Sequence, residues 1–329
     1  MAARRAKSTA AAPAARERRK PVSTGQAESI SAAVTGFTSA AQSPATTKAY
    51  AGDLRHFRMH GGKVPATPQM VANYAAKFAG VLAVATIRRR LVAVHQAHTE
   101  RGLKSPVMDR LVKRTMQGIR RTLGVAPQRR VKALVKSDLL EMLVMVNRQK
   151  PMKAARDRAL LLIGFAGALR RSELVAIQCT DITRFEAGME INLPRSKTDQ
   201  EGVGRTVWIP HAKDSERCPV AALEQWLTLS SIDRGPVFRW VSRHDNLVGT
   251  KGLTSQSVAL VIKRSVKRVH GAAATKAVSG HSLRAGYCTE AALVGMAPWQ
   301  IREQTGHKSD VTLAKYIRPV SKRKIPSLL

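Results

Sequence analysis

The apolar positions gather into short helical blocks, several of them opened by a hydroxyl residue followed by proline. Ser43-Pro44 precedes Tyr50, Leu54 and Phe57 at i, i+4 and i+7; Thr67-Pro68 precedes Met70, Val71, Tyr74 and Phe78; Ser105-Pro106 precedes Met108, Leu111 and Ile119. A Ser or Thr side chain accepts a first-turn N–H and proline suits the first helical position, so each pair predicts a helix start. Thr86 is placed to cap a further helix carrying Ile87, Leu91 and Val94. Together these blocks predict an all-α unit over residues 42–124, with Arg88, Arg89, Arg90, Lys113, Arg114, Arg120 and Arg121 on its polar faces.

On either side the pattern fades. Residues 1–41 are rich in Ala, Ser, Thr and Arg with almost no large apolar side chain, which predicts a disordered basic arm; an acid-poor, Arg- and Ser-bearing start also fits an organellar transit peptide. Residues 125–132, with Pro127, Arg129 and Arg130, read as an exposed linker. A second domain over 133–329 opens helically, with Ser137 as a cap before Leu139, Leu140, Met142 and Leu143, followed by the apolar stretch Ala159 to Leu169. Then the period changes. GMEINLP (188–194) and RTVWIP (205–210) alternate around a polar, Gly-bearing stretch and predict a β-hairpin, after which helical patterns return at 220–229, 255–269, 282–293 and 298–305. The fold class is mainly α with a small antiparallel sheet.

A length of 329 residues fits two domains with separate cores. The stretch Ala159 to Leu169 is far shorter than the ~20 apolar residues of a bilayer span, so no membrane partner is expected. Lys and Arg number 56 against 22 Asp and Glu, a net charge of +34 that points to a polyanion. A membrane surface, RNA and DNA all remain open on charge alone. The low aromatic content, 4%, and the absence of a Phe/Tyr-rich strand disfavour a base-stacking platform and leave duplex DNA in front. Cys179, Cys218 and Cys288 form no CxxC pair, which argues for reduced thiols in a cytosol and against a zinc knuckle.

Three clusters carry candidate chemistry. GALRRSEL places Arg170 and Glu173 one helical turn apart; HSLR does the same for His281 and Arg284; TGHKSDVTLAKY holds His307 and, nine residues on, Tyr316. Singly, each has a plain structural alternative: an ion pair at a helix junction, a helix cap, a helix end.

In this order the three motifs resemble those of the tyrosine recombinases, or phage-type integrases, over about Ser43 to Tyr316. The resemblance implies a two-domain architecture, an α-helical core-binding domain followed by a mixed α/β catalytic domain, closing on DNA as a clamp. It implies that Arg170 is the first catalytic arginine, selected over Arg171 by the pattern G-x-x-R-x-S-E-L, with Glu173 its acidic companion. His281 and Arg284 form the second box, His307 fills the His/Trp position, Tyr316 is the nucleophile, and Lys197 in the hairpin loop, with Lys213 as the alternative, is the catalytic lysine. The expected reaction is site-specific recombination through a 3′-phosphotyrosyl intermediate and a Holliday junction, without ATP, metal or any other cofactor. The expected partners are double-stranded DNA bearing an inverted-repeat site and three further protomers, the free protein being a monomer. Arg129 and Arg130 join the basic residues of the helical domain as expected DNA contacts. A cytoplasmic, nucleoid-associated protein of a bacterium or mobile element is implied. A type IB-like topoisomerase and a catalytically silent DNA-binding regulator are the competing readings.

Overall fold

The computed structural model describes residues 31–126, 131–194 and 204–322. The chain divides into two compact units between Pro127 and Gln128, within the expected linker.

In the first unit, α1 spans Ala32–Ala40, α2 Pro44–Met59, α3 Pro68–Lys77, α4 Val84–Thr99 and α5 Arg110–Leu123. Ser43 and Thr67 start α2 and α3 as expected, their hydroxyls accepting the N–H groups of Thr46 and Met70, each at 3.2 Å. Two other starts differ from the sequence reading. Helix α4 begins two residues before Thr86, and α5 begins under Asp109, whose carboxylate accepts the Leu111 N–H at 2.8 Å, while Pro106–Met108 is a single 3-10 turn. A carboxylate also meets the positive end of the helix dipole, which the Ser105 hydroxyl does not. The expected disordered arm likewise needs correction at its end, where nine residues, AAVTGFTSA, form α1 behind Ser31, whose hydroxyl accepts the Val34 N–H at 3.3 Å. Alanine propensity and the cap favour the helix, whose large apolar residues Val34 and Phe37 are 48% and 77% exposed. Residues 1–30 lie outside the described residues. Helices α2 to α5 enclose Phe57, Val71, Tyr74, Ile87, Val94 and Ile119, all read from the periodicity.

The second unit contains α6 (Lys136–Asn147), α7 (Pro151–Ala166), α8 (Arg171–Ala176), β1 (Ile182–Phe185), β2 (Gly188–Leu193), β3 (Arg205–Pro210) and α9 (Pro219–Ser230). There follow β4 (Arg239–Val241), β5 (Leu247–Gly252), α10 (Ser255–Ala274), α11 (Ser282–Leu293), α12 (Pro298–Thr305) and α13 (Asp310–Lys322). Helix α7 is the centre of the core, buried from Ala159 to Ile163 and packed on α9. The sheet order is β1-β2-β3, all antiparallel, with Ile191 opposite Val207, so that Met189, Ile191, Leu193, Val207 and Ile209 share the inward face. Strand β1 and the β4–β5 ribbon add to the expected hairpin. Ser137 does not cap α6; the Asp138 carboxylate turns back to accept the Val135 N–H at 3.1 Å. Among the described residues no helix is long and apolar enough to cross a membrane.

Helix α11 lies directly on the segment entering α6. Leu134 donates its N–H to the Ser282 carbonyl at 3.0 Å, and a Cβ built on Gly286 would stand 1.7 Å from the Leu134 carbonyl oxygen. Backbone cannot yield there as a flexible side chain can. Gly286→Ala is therefore expected to destabilise the second unit by about 3 kcal/mol, or roughly 10 °C in Tm, by scanning calorimetry; a Tm equal to that of the parent contradicts this packing.

Candidate active site

Helix α7 ends in the turn Gly167-Ala168-Leu169, which delivers Arg170 to the start of α8. Ala168 is fully buried at φ +47°, a left-handed conformation that costs a residue with a Cβ about 1–2 kcal/mol. The turn aims the Ala168 carbonyl at Arg284, whose Nη1 donates to it at 2.7 Å. Glu173, three residues into the new helix, turns its carboxylate back over Arg170. Oε2 accepts the Arg170 backbone N–H at 2.8 Å, and Oε1 accepts the guanidinium Nη1 at 2.5 Å. Arg170 Nη2 reaches across to donate to the Gly306 carbonyl at 3.2 Å. Arg171 runs elsewhere, its Cδ lying over Gly280, 1.7 Å from where a Cβ would sit. Of the two adjacent arginines, Arg170 is the one in the cluster.

His281 stands at the exposed start of α11, with Arg284 one turn further along the helix and 4% exposed. Burial, reinforced by the charge of Arg170, lowers the Arg284 pKa to about 10, and its Nη2 is buried without a hydrogen-bond partner. Helix α12 ends at Gly306 in the left-handed region, φ +64°, and the chain leaves through His307. His307 Nδ1 lies 2.7 Å from the Thr305 hydroxyl, which itself lies 2.6 Å from the Ile301 carbonyl. Only the hydroxyl can donate to that carbonyl, so its lone pair accepts Nδ1–H, and this assignment leaves Nε2 unprotonated in the neutral ring. Burial first, then the charges of Arg284, Arg170 and Arg205, lower the His307 pKa to about 4. Tyr316, on α13, has its ring centroid 5.9 Å from that of His307, and packs against the small cluster of Cys288, Ala291, Ile301 and Leu313. Burial raises its phenol pKa; Cys288 adds to the rise and Arg284 opposes it.

The structure thus brings together Arg170, Glu173, Arg284, His307 and Tyr316, with His281 a turn from Arg284. Lys197 lies outside the described residues. Sequence reasoning missed Arg205, whose Nη2 donates to Glu173 Oε2 at 3.3 Å and whose Nη1 donates to the Gln304 carbonyl at 2.8 Å. The signal was present: Arg205 shares the inward face of β3 with Val207 and Ile209, where a strand of this pattern carries apolar residues. Glu173 is 2% exposed; burial pushes its pKa up, but hydrogen bonds from Arg170 and the nearby Arg205 charge outweigh that and hold it below the usual carboxylate range. Two guanidinium groups therefore share one carboxylate, a third, Arg284, feels the charges of both and of Glu173 in the same largely buried space, and the cluster is built to receive an anion.

In the first unit, Arg88 and the α5 residues Lys113, Arg114, Arg120 and Arg121 are exposed. Arg89 forms a two-point ion pair with the buried Asp53, at 2.7 and 2.8 Å. Arg90 lies inward, its Nη1 2.8 Å from the His56 ring and 3.4 Å from the Tyr74 hydroxyl. Arg129 and Arg130 lie outside the described residues. Among the described residues no group of three or more His, Cys, Asp or Glu side chains is placed to hold a metal ion.

The model of the phage integrase family matches residues 132–323. The chain is 37% identical over 282 residues to an integrase/recombinase xerD homolog of Selenomonas ruminantium, covering 83% of this chain and 81% of that protein. It is 26% identical over 270 residues to the recombinase cre of Escherichia phage P1, covering 77% and 76% of the two chains. A lambda integrase solved as a tetramer bound to a Holliday junction has the same fold, with a TM-score of 0.57 at 15% identity over 86% of this chain and 74% of that one. This chain belongs to the phage integrase family, the tyrosine site-specific recombinases.

Proposed function

We propose that the chain cuts and rejoins duplex DNA at inverted-repeat sites by direct transesterification on Tyr316. The phenol oxygen attacks a backbone phosphorus; the new P–O bond is the 3′-phosphotyrosyl link, and the bond to the 5′-oxygen breaks. The observation that carries this reading is the buried, partnerless Arg284 Nη2 in an over-cationic pocket beside a tyrosine. Arg170 and Arg284 present guanidinium forks that fit the non-bridging oxygens of a five-coordinate phosphorus better than ammonium groups do. The phosphate's own charge raises the His307 pKa, so that Nε2 becomes a donor to the same oxygens. His281, at the exposed rim, takes the Tyr316 proton, and Lys197 gives one to the departing 5′-oxygen. Since phosphotyrosine conserves the energy of the phosphodiester, rejoining to a second 5′-hydroxyl consumes no ATP, and the arginines neutralise the charge that a metal would otherwise meet.

The basic face of the first unit supplies phosphate contacts, led by Arg88, Lys113, Arg114, Arg120 and Arg121, with Arg129 and Arg130 following. The working assembly is four protomers on a Holliday junction in the cytoplasm, formed from free monomers. The test is covalent capture. The full chain is mixed, in EDTA and without nucleotide, with a library of nicked random-sequence duplexes, and DNA that stays bound through denaturation is recovered. A protease-sensitive adduct with one recurring sequence is expected. Retention of DNA without any adduct favours the silent regulator, and adducts that relax a supercoiled circle bearing a single site without joining two sites favour the topoisomerase.

A further inference from the structure

We propose that Arg205 is a positioning residue of this site: it ties Glu173 to the last turn of α12, and so fixes the distance between Arg170 and His307. The inference rests on the strand-cleavage reading above. Its basis is a closed ring of contacts. Arg170 bridges Glu173 Oε1 and the Gly306 carbonyl, while Arg205 bridges Glu173 Oε2 and the Gln304 carbonyl. Two guanidinium groups therefore hold one carboxylate and grip the same helix end on either side of Thr305, the partner of His307.

Three further observations make the ring tight. A Cβ on Gly306 would stand 2.8 Å from Arg205 Nε, so the turn that releases His307 closes directly on the arginine. The Gln304 side-chain amide donates to the Ala166 and Trp208 carbonyls at 3.0 and 2.8 Å, fixing the same turn to the end of α7 and to β3. Arg205 itself is held against its own preference for water: burial lowers its pKa, and its Nε is buried without a partner. An arginine kept under those terms next to two others is placed for geometry at the anion site, where a displacement near 1 Å costs about 100-fold in rate.

The test uses the full chain as Arg205→Met and Arg205→Lys. In the free protein, the His307 ring is followed by NMR on histidine labelled with nitrogen-15, assigned by its loss in His307→Gln. Arg205, Arg170 and Arg284 face that ring with Glu173, and the parent ring stays neutral down to a pH of about 4. In Arg205→Met its titration is expected to move upward by a fraction of a pH unit and the Nδ1–H signal of the Thr305 contact to shift. Arg205→Lys, which keeps the charge but cannot make both bonds, restores the titration and leaves the Nδ1 shift. On a nicked duplex captured by the parent chain, single-turnover cleavage is expected to fall about 100-fold in Arg205→Met with duplex affinity unchanged. Combined with Glu173→Gln, the loss is expected to be no greater than the larger single loss. Unmoved His307 signals, parent-like cleavage, loss confined to DNA affinity, or additive losses would each overturn the role given to Arg205. If the parent chain captures no DNA, the cleavage reading falls, and the NMR arm still decides whether Arg205 sets His307.

Discussion

With phenylalanine at position 316, the chain is expected to bind duplex DNA as the parent does and to form no covalent adduct with it, a loss of at least about 1,000-fold because the attacking phenol oxygen is gone. Tyr316 sits half-buried over the small core of α11, α12 and α13, and the change to phenylalanine removes one oxygen while keeping the ring against Ile301 and Leu313. Burial raises the phenol pKa, so the resting tyrosine is protonated and waits for a base and for cations to stabilise the attacking oxygen. Arg284 is the cation whose field already opposes that rise. The pairing separates the readings. A silent regulator would make parent and variant indistinguishable on a nicked duplex, whereas a recombinase and a topoisomerase both lose the adduct and differ in whether two sites are joined. Gel retardation with the same duplex checks that the variant still binds, and a variant that binds and still forms a denaturation-resistant complex would remove Tyr316 from the mechanism.

Where local chemistry decides the structure, the sequence was readable. Helices α11 and α12 run from Ser282 to Leu293 and from Pro298 to Thr305, the spans their periodicity predicts, and Gly306 ends α12 because only a residue free of a Cβ fits both its φ of +64° and the Arg205 side chain above it. The β2–β3 hairpin likewise followed from alternation. Strand β1 escaped notice because only Ile182 of its four residues is buried, and β5 because none of its residues is fully buried, so neither strand shows an alternating face. Residue type alone points to helix starts at Thr86, Ser105 and Ser137, while the chain uses backbone geometry at the first and, at the other two, the carboxylates of Asp109 and Asp138, four residues and one residue further on.

The site divides in the same way. Arg170, Glu173, His281, Arg284, His307 and Tyr316 were legible as motifs with fixed order, and the structure groups Arg170, Arg284 and His307 near the buried Glu173 carboxylate, with Tyr316 beside His307 and His281 exposed a turn from Arg284. What the motifs do not contain is the support beneath them. Arg205 is 32 residues from Glu173 and 99 from Gln304, and the Ala168 carbonyl is 116 from Arg284. Such contacts depend on how β3, α8, α11 and α12 pack, and no local spacing encodes them. The odd residue on an inward strand face was the one trace, and it marks where β3 ties Glu173 to the end of α12.

Arg284→Met is expected to separate function from stability, abolishing cleavage while leaving the fold as stable as the parent or more so. The argument begins with the cation. A base whose pKa is lower in the folded chain than in the unfolded one is disfavoured in its charged form by folding, at every pH below the folded value. For Arg284 that value falls to about 10, well below the ordinary guanidinium range, which at ~1.4 kcal/mol per unit corresponds to a penalty of about 3 kcal/mol at neutral pH. Methionine fills much of the same volume without the charge, and what it leaves behind is the Ala168 carbonyl without its donor, a cost of about 1–3 kcal/mol. The two effects oppose each other, so the Tm should stay within a few degrees of the parent or rise. Cleavage should fall about 1,000-fold, because the lost group is the one whose free Nη2 awaits the non-bridging oxygens. Adding duplex DNA gives the third reading: a bound phosphate relieves the buried charge in the parent, so DNA should raise the parent's Tm more than the variant's. A variant that loses 10 °C without DNA would show instead that Arg284 holds the turn at Ala168 in place, and that the positive charge of this pocket serves the fold before it serves the phosphate.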